Sequence, residues 1–222
     1  MKFTRPIQIP IVVVSPASWA GRIQAFMRRL RQGNQRYRGV ETTFGVRFGT
    51  ETTIISEIQE YETRVTELIA RLPQDSQPVF IVFAPEHGIS RANYNSSYYR
   101  LKHILLEAGF PCQMVKEETL EDPEWKDLNF ALDIFAKAGF VPWVLSEGMP
   151  NADLFIGLSL SFITFRGQRQ RVAGYANAFD DFGRWLFYQG ASESVPYESR
   201  NSMYAELLGK ITRDYQAQRR KL

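Results

Sequence analysis

Four side chains stand at spacings suited to holding a terminal phosphate beneath a stacked ring. They are Tyr98, Lys102, Gln113 and Lys137. Tyr98 and Lys102 are four residues apart, so one face of a helix carries both an aromatic platform and an ammonium group. The preceding Asn93, Asn95, Ser96 and Ser97 are N-cap residue types, which puts a helix start there, with unpaired backbone N–H groups and a positive dipole end close by. Gln113 adds a neutral amide from the next strand and Lys137 a second charge from the next helix. Together these groups meet the requirements for binding the end of a nucleic-acid strand.

Each has a plainer reading by itself. A Tyr–Lys pair on a helix is often a half-buried ring beside a solvated stem. Gln113 alone can cap a strand end. Lys137 alone can be a cation favoured at a helix C-terminus, with Gly139 as the residue that ends it. His103 reads as helix surface. His87, in the loop after a buried strand, is better placed to touch a ligand, although a structural role is the simpler reading. The plain readings weaken because all four residues share one ordered framework.

That framework reads as a helix from Tyr98, a short buried strand at 111–115, an acidic loop, and a helix over 127–138. Upstream, residues 9–14 form a continuous β-branched run. An amphipathic helix over 20–32 follows, then a strand or hairpin over 40–48, a long helix over 54–72 and a buried strand at 79–84. Alternation of this kind predicts a doubly wound, Rossmann-like α/β domain with its ligand at the carboxyl ends of the strands. After Pro142 the pattern changes to three strands in quick succession, at 153–161, 172–179 and 184–189. A helix over 202–219 follows them. The expected division is a Rossmann-type domain over 1–148 and a second, partial domain over 149–222.

The segment from Tyr98 to Gly139 resembles the MID domain of the Argonaute/Piwi family. The resemblance lies in the aromatic–x3–Lys helix, the Gln of the following strand, and an N-x-x-L-x-I-x-x-K-x-G helix from Asn129 through Lys137 to Gly139. It implies that Tyr98, Lys102, Gln113 and Lys137 bind the 5′ phosphate of a short RNA or DNA guide strand, with the ring of Tyr98 on the first base. Many members of that family carry a further Lys where this chain has Asp133. A terminal phosphate is nearly dianionic, so Asp133 makes Mg²⁺ at the guide 5′-phosphate pocket an expected cofactor.

The strand DLFIGLSLS resembles the first strand of PIWI, and residues 153–222 the opening half of that RNase H-like domain. Slicing members carry an aspartate just after the Ile-Gly-x triplet of that strand. This chain has Ser159 there, a neutral group that is a poor metal ligand, and the family's next catalytic aspartate would fall beyond Leu222. Asp153, Asp180, Asp181, Glu193 and Glu198 read as turn and loop acids. The resemblance thus implies a guide-binding module without slicing activity, similar to the short Argonautes of prokaryotic immunity, which lack N, PAZ and APAZ regions before MID. Its implied partners are a guide, a complementary target strand, and an effector protein or remaining PIWI portion covering the C-terminal sheet. The alternative is a structural or regulatory subunit that acts through protein–protein contacts with the pocket empty.

Composition is compatible with this. The chain has 222 residues, 44% of them hydrophobic, enough for one large core or two small ones. A net charge of +3 permits a polyanionic partner, and the arginines cluster, at 22–38 and at 166–171. A single cysteine, Cys112, excludes an intramolecular disulfide and fits a reducing, cytoplasmic compartment, where it reads as a core residue. The apolar run near the N-terminus is too short and too interrupted by Pro6 and Pro10 for a signal peptide, and no stretch has the length to cross a membrane. No G-x-G-x-x-G, P-loop or Ser/His/Asp pattern supports a nucleotide-using enzyme.

Overall fold

The computed structural model describes residues 6–84, 97–121, 123–166, 168–191 and 193–219. The chain divides into two compact units, residues 1–142 and 143–222. The Leu145 N–H donates to the Phe182 carbonyl (3.0 Å) and the Met149 N–H to the Asp181 carbonyl (2.8 Å), which is why residues 143–148 group with the second unit.

The first unit is a Rossmann-like α/β layer structure. Its four-stranded sheet has the order β2-β1-β3-β4, from β1 (Ile7–Ser15), β2 (Val46–Ile55), β3 (Val79–Ala84) and β4 (Cys112–Lys116). All neighbours in it are parallel. A parallel sheet is covered on both faces, so its central strands must be apolar on both sides. The fully buried Val79–Ala84 meets that condition. Pro10 has no N–H to give to a ladder, and the β1–β2 register shifts between Ile9 and Ile11.

The helices divide between the two faces. α1 (Ala20–Gln32) and α6 (Pro123–Lys137) cover one, burying Phe26, Leu30, Ala131 and Ile134 against Ile11, Val13, Ile81 and Val115. α3 (Tyr61–Ile69) and α4 (Ser97–Glu107) cover the other, where Tyr61, Val65, Leu101 and Leu105 meet Val12, Phe80, Val82 and Cys112. α6 is tied to α1 by a buried charge. Oδ2 of the fully buried Asp127 accepts from Arg29 Nε (3.1 Å) and Asn34 Nδ2 (3.0 Å).

Three expected elements differ. The strand predicted over 40–48 is split into the short helix α2 (Val40–Phe44) and the start of β2. Gly39 (φ 84°) and Gly45 (φ 71°) bracket that helical turn, and Phe44 stacks on Phe135 at 4.9 Å, which overrides the β propensity of its threonines. The helix predicted over 54–72 is confined to α3, because residues 52–55 pair with Val12–Ser15 as the end of β2. The acidic loop contains α5 (Glu117–Glu121), and α6 begins at Pro123, a residue suited to the first helical position.

In the second unit an antiparallel sheet has the order β5-β6-β7, from β5 (Phe155–Phe165), β6 (Gln168–Phe179) and β7 (Trp185–Gly190). The short β8 (Val195–Pro196) also pairs with β6. α7 (Arg200–Arg219) packs Met203, Leu207 and Ile211 on Val172, Ala176 and Ala178. Ile156, Leu160, Phe162 and Phe187 join that core in part. Tyr175 (44% exposed), Trp185 (54%) and Tyr188 (63%) remain open. Trp185 Nε1 donates to Asn177 Oδ1 at 3.2 Å, which places this indole on the side of β6 opposite Ala176 and Ala178.

Candidate nucleic-acid interface

β4 lies at the end of the strand order, and the candidate site is built on it. The Phe80 N–H donates to the Pro111 carbonyl (2.9 Å) and Phe80 is paired with Cys112. In such a parallel ladder the backbone groups of Cys112 and Met114 point away from β3, to the open side. Cys112 and Met114 pack their side chains under α4, whereas Gln113 alternates to the side of Val115 and α6. The site therefore wraps around the strand, with groups from both helical layers.

Tyr98, Lys102, Gln113 and Lys137 line one cavity of about 240 Å³. Cys112, Met114 and Asp133 complete its walls. Tyr98 and Lys102 reach it from α4, where Lys102 Nζ lies 5.9 Å from the centre of the Tyr98 ring, within cation–π range. From α6, Lys137 Nζ donates to Gln113 Oε1, and Gln113 Nε2 donates in turn to the Met114 carbonyl (3.3 Å). Burial pushes the Lys137 pKa down from the usual lysine value, and Lys102 adds to that, against the opposing pull of Asp133 and Cys112. Burial likewise pushes the Cys112 thiol up, so it is held as the neutral thiol despite the two nearby ammonium groups.

The four predicted residues thus come together, at a place other than the expected one. Gln113 is the second residue of β4 and Lys137 the last of α6, so the cavity lies along the flank of the edge strand and not at the carboxyl ends of the strands. The topological switch point falls between β1 and β3. The loop after β3, with His87 and the proposed helix cap at 93–96, lies outside the described residues. His103 is on the helix surface, 3.2 Å from Glu107. The lining roles of Cys112 and Met114 went unread in the sequence, because both look like ordinary core residues until β4 is known to be an edge.

The remaining expected groups have definite places. Ser159 pairs with Tyr175, and its neighbours on the same side of β5, Gly157 and Ser161, are uncharged. Asp180 closes the β6–β7 turn. Burial opposes its ionisation, but hydrogen bonds from Arg184 and the Phe182 N–H outweigh this and hold it below the usual carboxylate range. Arg22 is paired with Glu117 (2.6 Å) and Arg29 with Asp127, so part of the first arginine cluster serves packing. Among the described residues, no group of three or more His, Cys, Asp or Glu is placed to hold a metal ion, and no helix is long and apolar enough to cross a membrane.

No established family profile matches the chain. It is 25% identical over 232 aligned positions to an argonaute protein of Cereibacter sphaeroides, an alignment spanning 92% of this chain and 29% of the relative. The crystal structure of Drosophila Piwi superposes with a TM-score of 0.63 at 19% identity, over 96% of this chain and 27% of that one. Marinitoga piezophila Argonaute, solved in complex with a 5′-OH guide RNA, superposes with a TM-score of 0.53 at 18% identity, over 93% and 32%. The chain spans less than a third of the length of each of these proteins. By sequence over most of its length, and by fold, it is similar to one part of the proteins of the Argonaute/Piwi family.

Proposed function

We propose that the first unit is a MID-like module that anchors the 5′-phosphorylated end of a short guide strand in the Tyr98–Lys137 cavity. The observation that carries this reading is the convergence of Tyr98, Lys102, Gln113 and Lys137 on one small, cation-bearing cavity at the sheet edge. Lys102 and Lys137 supply positive charge and Gln113 an amide donor. Lys137 gives up its hydrogen bond to Gln113 when it turns to a phosphate oxygen, which leaves the amide to follow. Tyr98 supplies the stacking face for the first base.

Among the described residues, Asp133 is the one carboxylate lining the cavity and offers a divalent ion a single anionic ligand. That donor set fits Mg²⁺ only with phosphate oxygens and water in the remaining positions. Bound there, Mg²⁺ would offset the excess negative charge of phosphate and Asp133.

In this reading the second unit is the opening part of a PIWI domain without slicing activity. Ser159 and its uncharged neighbours offer no carboxylate to a metal-assisted hydrolysis. The guide would pair with a complementary target strand in nucleic-acid-directed prokaryotic defence, with an effector protein or further PIWI chain over the second sheet. The exposed Tyr175, Trp185 and Tyr188 favour a second reading, a structural or regulatory subunit that works through this protein-facing surface with the cavity unused.

Filter binding of one oligonucleotide carrying either a 5′ phosphate or a 5′ hydroxyl tests the proposal. Tighter binding of the phosphorylated strand is expected, along with copurification of short 5′-phosphorylated strands from cells. Equal affinity would remove the phosphate assignment, and the 5′-OH guide of the Marinitoga relative makes that comparison the decisive one. Cleavage of a guide-complementary strand with Mg²⁺ or Mn²⁺ would overturn the assignment of the second unit.

A further inference from the structure

The second arginine cluster has no part in the cavity, yet its geometry is specific. Residues 162–171 hold Arg166, Arg169 and Arg171 and no acidic residue. The Arg169 guanidinium carbon lies 4.1 Å from the centre of the Phe162 ring, and that of Arg200 lies 4.4 Å from the Tyr197 ring. The two rings are neighbours, with centroids 6.0 Å apart. A guanidinium stacked on a ring uses its flat face and leaves its in-plane N–H donors available. Arg200 gives one donor to the Tyr197 carbonyl at 3.1 Å. Arg171, next to the inward-facing Val172 and so on the other side of β6, is held separately through the Ser194 hydroxyl (2.9 Å) and the Ser194 carbonyl. Two acids of this unit are ion-paired elsewhere, Asp180 with Arg184 and Glu206 with Lys210. Among the described residues, none is ion-paired with Arg169, Arg171 or Arg200.

We propose that Arg169 and Arg200 form a second contact for the phosphodiester backbone of a nucleic-acid strand, separate from the 5′-end cavity. Holding long cations on rings lowers the entropy lost on contact, and a planar fork of N–H donors matches a phosphate. A contact made to phosphate positions a strand and carries no sequence information, so this one is indifferent to sequence. It rests on the nucleic-acid reading above but not on the 5′ phosphate.

The test is the salt dependence of binding by the full-length chain to single-stranded oligonucleotides with a 5′ hydroxyl. Each phosphate contact contributes about 0.7 to the slope of log affinity against log salt for single strands. Arg169→Gln with Arg200→Gln is expected to lower that slope by about 1.4, to the same extent for any base sequence and for either 5′ end. Arg169→Lys with Arg200→Lys keeps the charges and should retain most of the slope, which separates lost charge from lost packing. An unchanged slope in a glutamine variant that still melts cooperatively would overturn the proposal. So would an equal loss of binding to poly-glutamate, which would assign the surface to an acidic polypeptide. A failed 5′-phosphate preference with the slope change intact would remove the cavity reading and leave this one standing.

Discussion

Lys137 and Gln113 are joined across the edge of the sheet by a hydrogen bond from the lysine ammonium to the amide oxygen. The pair links the end of α6 to β4 and sets Lys137 beside the cavity whose other side holds Lys102 and Tyr98. Because Gln113 also donates to the Met114 carbonyl, its amide orientation is defined on both sides. Gln113→Leu should therefore free Lys137 and weaken the preference for a 5′ phosphate without unfolding the protein. The measurements are paired affinities for 5′-phosphate and 5′-hydroxyl strands and a thermal melt, and an unaltered preference would remove Gln113 from the site.

The pH response follows from the lowered Lys137 pKa, caused first by burial and then by Lys102. A lysine binds phosphate in its protonated form, so affinity is lost as pH rises through that depressed value, earlier than an ordinary lysine near about 10.4 would lose it. At the acidic end, affinity should rise near about pH 6 as the phosphate takes its second charge. Lys137→Arg keeps its charge throughout and should move the alkaline fall upward. A pH series of affinities that is the same for the two proteins would count against this role.

Tyr98 and Lys102 should separate into two effects. Tyr98→Ala is expected to cost about 1–3 kcal/mol of oligonucleotide affinity whatever the 5′ group, as lost stacking does. Lys102→Ala should cost about 1.5–3 kcal/mol for the phosphorylated strand, as a hydrogen bond to a charged group does, and little for the hydroxyl strand. Equilibrium titration of the four combinations distinguishes these outcomes.

Chelation should act through Asp133. Removing divalent ions with EDTA is expected to weaken binding of a 5′-phosphorylated strand more than that of its hydroxyl counterpart. Asp133→Lys should make the affinity independent of chelator, because a fixed cation then balances the phosphate. Isothermal titration with and without Mg²⁺ measures both effects, and no response to EDTA would indicate neutralisation by the lysines alone.

Asp127 predicts stability. It is fully buried, with Arg29 and Asn34 on one oxygen, while its Oδ1 and Arg29 Nη2 have no partner among the described residues. Removing one side of a buried pair strands the other, so Asp127→Leu should destabilise by about 3–5 kcal/mol in urea unfolding. Adding Arg29→Met should recover part of the loss. A double variant no more stable than the single one would show that the pair does not act as a unit.

Much of the alternation was legible in the sequence because it is local. The β-branched run of β1 and the amphipathic helix over 20–32 declare themselves through composition and period, and Val79–Ala84 through its unbroken apolar run. The set Tyr98, Lys102, Gln113 and Lys137 was legible too, since its members sit in order within some forty residues, on α4, β4 and α6. What only the tertiary structure decided is the position of β4 in the sheet, a consequence of how distant strands pair. Edge position opens the backbone of Cys112 and Met114 and lets Gln113 meet Lys137 on one side while Lys102 approaches from the other. The same distinction explains the misread segments. Ile54 and Ile55 fit either a strand or a helix by period, and pairing with Val14 and Ser15 decides for the strand. In the second unit the alternation along β6 implies one buried face. Only the packing of α7 determines that Ala176 and Ala178 are covered while Tyr175 and Trp185 face away.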